Sequence, residues 1–227
     1  ILKNLFNEIS ILKQLQIKKN PYIINIIDSY IGFDSSIIIM EHCHNGDLFN
    51  AINHGLNWFQ IKIILLQMSS ALHCIHSLNI IHRDIKPENI LIGNDGNIRL
   101  IDFGFACFKS GKSICGTIDY IAPEIITLSK KKKYDYSVDY WSLGILLYEM
   151  FHKNTPFNNT SLSNNKYLNH TISFSTDFND DAIFLFKALT DFVPERRMAN
   201  FHNSLNTIID FSLFDFLCSS DFSDFKN

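Results

Sequence analysis

The chain has 227 residues, of which 46% are hydrophobic and 20 are Phe, and it carries a formal net charge of −3 at pH 7. That length and apolar content suit one domain or two closely packed lobes around a sizeable core, and they argue against a disordered protein. The small net charge supplies no electrostatic footprint for nucleic acid or a membrane surface, so neither is expected as a partner.

From 1 to 16, Leu2, Leu5, Phe6, Ile9, Leu12 and Leu15 recur every three or four positions, which predicts an amphipathic helix with Glu8 beside its apolar stripe. Asn20-Pro21 ends it. Two strand-like runs follow, 23–30 and 36–40, separated by a turn at Gly32 and Asp34. Asn45-Gly46 marks another turn, after which Asp47 opens a helix, an ordinary place for an acidic residue. From 58 to 78, Ile61, Ile64, Leu65, Met68, Leu72 and Ile75 line one face of a long core helix. His73 and His76 lie near its end without a Cys, His or carboxylate at metal spacing, so packing or surface roles are expected.

Runs at 90–92 and 98–101 flank Asn94-Asp95-Gly96-Asn97, a strong hairpin signal. A loop spans 103–123. Four lysines at 130–133 read as a solvated linker, with a docking patch for an acidic substrate as the alternative. The stretch 138–151 is apolar nearly all round, which predicts a central helix buried on every side. The Asn-, Ser- and Thr-rich stretch 154–175 should hold a short helix and loops, where a peptide or partner would touch. Asn179-Asp180-Asp181 caps a helix over 182–189, and the residues from Ser219 onward should be frayed. No internal repeat is present.

The five Cys (Cys43, Cys74, Cys107, Cys115 and Cys218) are scattered, odd in number and without a C-x-x-C pair, which fits a thiol-reducing, intracellular setting, cytoplasm or nucleus. No signal peptide or transmembrane span is visible. The longest strongly apolar helical stretch, 141–151, is short and flanked by charge.

The stretch that organises the rest is Ile80-Ile81-His82-Arg83-Asp84-Ile85-Lys86-Pro87-Glu88-Asn89-Ile90-Leu91-Ile92. It sets a carboxylate, a lysine and a carboxamide within six positions, between apolar runs that can anchor a loop on both sides. Phosphoryl transfer needs that set. Asp84 can orient a hydroxyl nucleophile and accept its proton, Lys86 can neutralise charge on the moving phosphate, and Asn89 can ligand a metal. Asp102-Phe103-Gly104 follows at a strand end, where the carboxylate can hold magnesium. Then come Ala122-Pro123-Glu124, Asp139-Tyr140-Trp141-Ser142-Leu143-Gly144 and Pro194-Glu195-Arg196-Arg197. Each alone reads as a turn or a helix start; their order is what carries weight.

Together, in order and spacing, these segments resemble the catalytic domain of the eukaryotic serine/threonine protein kinases, over residues 5–197. Lys86-Pro87-Glu88 resembles the serine/threonine branch, and Cys115-Gly116-Thr117-Ile118-Asp119-Tyr120 is similar to aurora, polo and AGC-like activation segments. The resemblance implies an α+β, protein-kinase-like fold with a mainly helical C-lobe and a truncated N-lobe of one helix and two strands. The boundaries would be 1–40 for the partial N-lobe, 41–46 for the hinge, 47–215 for the C-lobe and 216–227 for a tail.

The implied reaction transfers the ATP γ-phosphoryl group to a Ser or Thr hydroxyl of a protein substrate. Asp84 would be the base, with Asn89 and Asp102 holding Mg2+. The Glu41 carbonyl and Cys43 amide would bond the adenine edge beside Met40, with Leu91 beneath the ring and Asp47 facing the ribose. Thr117 would bridge Asp84 and Lys86. Arg83 would receive a phosphate on Ser113, four residues before Thr117. His82 would pack on Phe103 in an apolar column continuing through Leu12 and Ile27. Asp139 would bond the catalytic-loop backbone, and Arg197 would pair with Glu124.

Glu8 would pair with a lysine of a preceding strand. Neither that lysine nor the Gly-rich strand pair that covers the phosphates is in the sequence, which starts after them. An alternative therefore stands: a pseudokinase or scaffold that keeps the fold and binds partners. The intact Asp84, Asn89 and Asp102 favour the enzyme. A small-molecule kinase of related fold is less favoured, because the Cys115-Gly116-Thr117 and Ala122-Pro123-Glu124 segments belong to peptide handling. A Gly-rich strand and a Val-Ala-x-Lys-like strand encoded upstream would separate the readings.

Overall fold

The computed structural model describes residues 2–32, 36–126, 133–157 and 172–197. Most of the lysine run and of the 154–175 stretch, the turn at Asp34 and everything beyond Arg197, including the expected tail, lie outside the described residues. The fold is α+β and mostly helical, with three two-stranded antiparallel sheets among the described residues.

Helix α1 (Leu2–Lys18) buries Ile9, Leu12 and Leu15 of the expected stripe and adds Ile11, whereas Phe6 of that stripe is 52% exposed. Strand β1 (Ile26–Ile31) pairs with β2 (Ser36–Met40). The strand starts later than the apolar run suggests because residues 22–24 are used elsewhere. The amide of Ile24 donates to Leu100 O at 3.0 Å and that of Leu100 to Tyr22 O at 2.9 Å, tying this layer to the next one. The expected column through Ile27 is corrected by one position. Ile27 is 64% exposed, whereas Ile26, at 3%, shares the core cluster with Leu12 and Phe103. Strand side chains alternate between faces, so a one-residue error moves the side chain to the opposite side.

Helix α2 (Leu48–His54) starts at Asp47, whose carboxylate accepts from the Asn50 amide at 2.8 Å. Helix α3 (Trp58–Ser77) starts in a reciprocal Asn57–Gln60 capping box. By length and composition α3, rather than the shorter 141–151 stretch named from the sequence, is long and apolar enough to cross a membrane. Its apolar window is 56% buried, with Ile61, Leu65, Met68, Leu72 and Ile75 in the core, and that packing accounts for its composition.

Strand β3 (Ile80–Ile81) later pairs with β6 (Cys107–Phe108), while β4 (Ile90–Ile92) and β5 (Ile98–Leu100) form the expected hairpin. The short helix α4 (Pro123–Ile126) precedes α5 (Ser137–His152), every residue of which from Ser137 to Met150 is buried, as its uniform apolarity predicts. Helix α6 (Asp180–Leu189) is capped by Asn179 and crosses α5 at Gly144. A Cβ there would stand 2.7 Å from Thr190 Cγ2 and 2.9 Å from Leu189 Cβ, so glycine is what allows the close crossing. One core cluster runs continuously from α1 and β1 through α3, β4 and β5 to α5 and α6. A second gathers around Trp141, between α5 and the segment leading into α4.

Candidate active site

Asp84 and Asn89 come to adjacent points because the chain between β3 and β4 folds into a tight loop pinned at its apolar ends, Ile80, Ile81, Ile85, Ile90 and Ile92 being buried. The loop backbone hangs from α5. Asp139, at the start of that helix, accepts from the His82 amide at 3.0 Å and the Arg83 amide at 2.9 Å, and His76 of α3 bonds the same carboxylate at 2.8 Å. His76 stacks on Tyr136 and meets Tyr140 edge-on, a packing role. Arg83 has φ +72° and Asp102 φ +59°, left-handed conformations that cost a non-glycine residue energy and cluster where side chains must be aimed.

Burial pushes the Asp139 carboxyl up, but the hydrogen bond and charge of His76, with the Arg83 amide bond, outweigh it, and the net shift is downward. A depressed carboxyl stabilises the fold above the unfolded value of roughly pH 4, and that contribution is lost as pH falls through the folded value. Asp139→Asn should therefore cost about 1.5–3 kcal/mol at neutral pH. It should also flatten the loss of stability below roughly pH 4, as read from urea midpoints at several pH values. His82 is fully buried and its pKa is lowered chiefly for that reason, so it is neutral at physiological pH. Its Nε2 donates to Ile101 O at 3.0 Å and its Nδ1 accepts from the Asp84 amide at 3.3 Å, while its ring meets Phe103 edge-on at 4.9 Å.

The central geometry is compact. Asp84 Oδ1 accepts from Thr117 Oγ1 at 2.8 Å and from the Thr117 amide at 3.0 Å. Asp84 Oδ2 accepts from Asn89 Nδ2 at 2.9 Å and lies 3.4 Å from Lys86 Nζ, which donates to Thr117 Oγ1 at 2.9 Å. One hydroxyl is thus held between a carboxylate and an ammonium. The Asn89 amino group is committed to Asp84, so what it has to offer a cation is its carbonyl oxygen. The Ile101 amide donates to the Asn89 backbone carbonyl at 3.0 Å, which brings the next residue, Asp102, alongside Asn89. Hard carbonyl and carboxylate oxygens from Asn89 and Asp102 fit Mg2+. Among the described residues no three His, Cys, Asp or Glu side chains converge as a metal cage.

A protein kinase domain matches residues 1–208. The chain belongs to the protein kinase family. It is 35% identical over 197 residues to cAMP-dependent protein kinase type 3 of Saccharomyces cerevisiae, an alignment covering 84% of this chain and 49% of that protein. It is 36% identical over 197 residues to an Aurora kinase of Candida glabrata, covering 80% and 54% respectively. With the cAMP-dependent protein kinase catalytic subunit of Dictyostelium discoideum the figures are 34% over 203 residues, 87% and 30%. The chain therefore spans about half, or less, of the length of these curated relatives.

In this kinase domain, Glu8 of α1 faces the Asp102–Gly104 turn. Burial raises its pKa, and the neighbouring Asp102 charge raises it further. The stretch 42–45, within the expected hinge, is zipped to the β4–β5 turn. The His44 amide donates to Asn94 Oδ1 at 3.0 Å, Asn94 Nδ2 to His42 O at 3.3 Å, and Asn45 Nδ2 to Gly93 O at 2.7 Å. The Glu41 amide bonds Asn25 O at 3.0 Å, and its carboxylate takes Arg99. The Glu41 carbonyl and Cys43 amide take no part in those bonds. Leu91 is the half-exposed residue of β4 between buried Ile90 and Ile92, so it projects from the face opposite the core. Asp47 spends Oδ1 on its helix cap. A cavity of about 370 Å³ behind Glu41, bounded by Leu15, Asn20, Ile23 and Arg99, contains none of Asp84, Lys86, Asn89 or Asp102 and is not the catalytic cleft.

Sequence reasoning missed what two residues and one buried pair do. His76 carries no motif, Tyr134 follows an unremarkable lysine run, and the buried Tyr120–Glu149 hydrogen bond joins residues far apart in the chain. No local pattern marks any of them.

Proposed function

We propose that the full-length protein is an ATP- and Mg2+-dependent protein serine/threonine kinase that phosphorylates a Ser or Thr hydroxyl of a protein substrate. The observation that carries this reading is the Thr117 hydroxyl clasped between Asp84 and Lys86, with Asn89 on the other carboxylate oxygen. Mg2+ held by Asn89 and Asp102 supplies charge compensation for the phosphates when bound. Asp84 orients the attacking hydroxyl and accepts its proton, and Lys86 offsets charge on the transferred group. The free Glu41 carbonyl and Cys43 amide receive the adenine edge over Leu91, and the second Asp47 oxygen is available to the ribose. Glu8, which faces the Asp102–Gly104 turn from α1, takes a lysine of the full-length protein as its partner.

Mg2+-dependent incorporation of phosphate into a Ser/Thr peptide library by the full-length protein, beside an Asp84→Asn control, tests this. Nucleotide binding without incorporation would favour the non-catalytic scaffold instead.

Ser113 is the proposed regulatory site. Its exposed hydroxyl already accepts from Arg83 Nη1 at 3.0 Å, so a phosphate there gains charge-assisted bonds in place. Ser113→Ala in the full-length protein should lower activity several-fold. Phosphate mapped only to Ser110 would count against the assignment.

A further inference from the structure

Tyr134 stands just after the stretch that follows α4, yet it is woven into the activation segment. Its backbone forms a two-bond bridge with Gly111, Gly111 N to Tyr134 O at 2.9 Å and Tyr134 N to Gly111 O at 3.1 Å. A Cβ at Gly111 would lie 2.0 Å from the Tyr134 ring, so the ring rests where only glycine leaves room. The side chain is buried, at 5% exposure. Its hydroxyl donates to Ser113 O at 2.7 Å and accepts from Arg83 Nη1 at 3.1 Å. Arg83 Nε in turn donates to Phe105 O at 2.6 Å. The contacts therefore run from Gly111 through Tyr134 to Ser113 and Arg83, the residue before Asp84. Four residues past Ser113, Thr117 closes on Asp84. Burial raises the phenol to about 12 against the pull of the Arg83 bond, so it stays a donor at physiological pH.

We propose that Tyr134 is a positioning residue that holds the activation segment on Arg83, and Thr117 on Asp84, whether or not Ser113 carries a phosphate. This rests on the kinase reading above. The Ser113–Arg83 contact alone is one exposed hydrogen bond, too little to order a nine-residue loop from Lys109 to Thr117. Two backbone bonds, a buried ring and a phenol that satisfies Ser113 O supply what it lacks. A Ser113 phosphate then reinforces an arrangement already present, and becomes essential only when Tyr134 is lost.

The experiment compares full-length wild type, Tyr134→Phe and Gly111→Ala, each phosphatase-treated and each phosphorylated on Ser113. In the wild type, phosphorylation should raise peptide kcat/KM by less than about fivefold. Unphosphorylated Tyr134→Phe should fall by about tenfold or more, and phosphorylation should restore it to within about threefold of phosphorylated wild type. Gly111→Ala, which displaces the ring but keeps the hydroxyl, should show the same pattern. A second readout needs no catalysis. Trypsin should cut after the exposed Lys109 and Lys112 about tenfold faster in unphosphorylated Tyr134→Phe than in wild type. Equal loss of activity in both phosphorylation states, or unchanged cleavage, overturns the proposal. An inactive phosphorylated wild type overturns the kinase reading, and the trypsin comparison still decides where Tyr134 holds the segment.

Discussion

Asp84→Asn in the full-length protein is expected to lower kcat for peptide phosphorylation by about 100- to 10,000-fold, the range that a positioned general base contributes. The side chain keeps its shape, so the fold should survive. What changes is chemistry. Each oxygen of Asp84 receives donors, Thr117 N and Oγ1 on one side and Asn89 Nδ2 and Lys86 on the other. An amide at this position puts an NH2 against one of those pairs, leaving donors facing donors, and removes the charge that matches Lys86. Affinity for nucleotide should change little, because in the proposed function the adenine contacts come from Glu41 and Cys43 rather than from Asp84. A variant that retains more than a tenth of the wild-type kcat, measured as radiolabelled phosphate transfer, would show that Asp84 is not the base.

The largest effect on stability is expected at the other end of the activation segment. Arg197 is 0% exposed. Its Nη1 and Nη2 donate to Glu124 at 2.6 and 2.9 Å, its Nε donates to Asp191 O at 2.6 Å, and its plane lies 5.0 Å from the Trp141 ring centroid. This fork-to-fork pair, the one anticipated from Ala122-Pro123-Glu124 and the late arginine, clamps α4 to the chain beyond α6. Glu124→Ala leaves the guanidinium buried without its counter-ion, and removing one partner of a buried pair costs about 3–5 kcal/mol. Urea unfolding should show the loss directly. Glu124→Gln, which keeps an acceptor but not the charge, should lose less. A drop below about 1 kcal/mol for the alanine variant would mean that solvent reaches Arg197 and the pair contributes no more than a surface one.

The helices were legible because their signal is local and repeated. Trp58 to Ser77 shows its burial in residues three and four apart, Ser137 to His152 in apolarity on every side, and Asn179 announces a helix start within three positions. The catalytic loop was legible for another reason: Asp84, Lys86 and Asn89 are so near in the chain that a tight loop with anchored ends has few ways to keep them apart. The Thr117 bridge and the Arg197–Glu124 pair were anticipated only through resemblance to a family, since nothing local relates residues 31 and 73 positions apart.

The rest depended on alternation and on distance. In β1 the choice between Ile26 and Ile27 hung on one residue of register, and a run of isoleucines carries no alternation to settle it. Asp47 could cap a helix or face a ligand by sequence, and the structure commits one oxygen to the cap. His76 and Tyr134 find Asp139 and Arg83 only after α3, α5 and the activation segment have packed. The sequence alone therefore determined which residues could do chemistry and which faces go inward, because both are written in short-range spacing. Only the tertiary structure decided which polar groups support them, because those partners are brought together by packing of a core that many sequences could form.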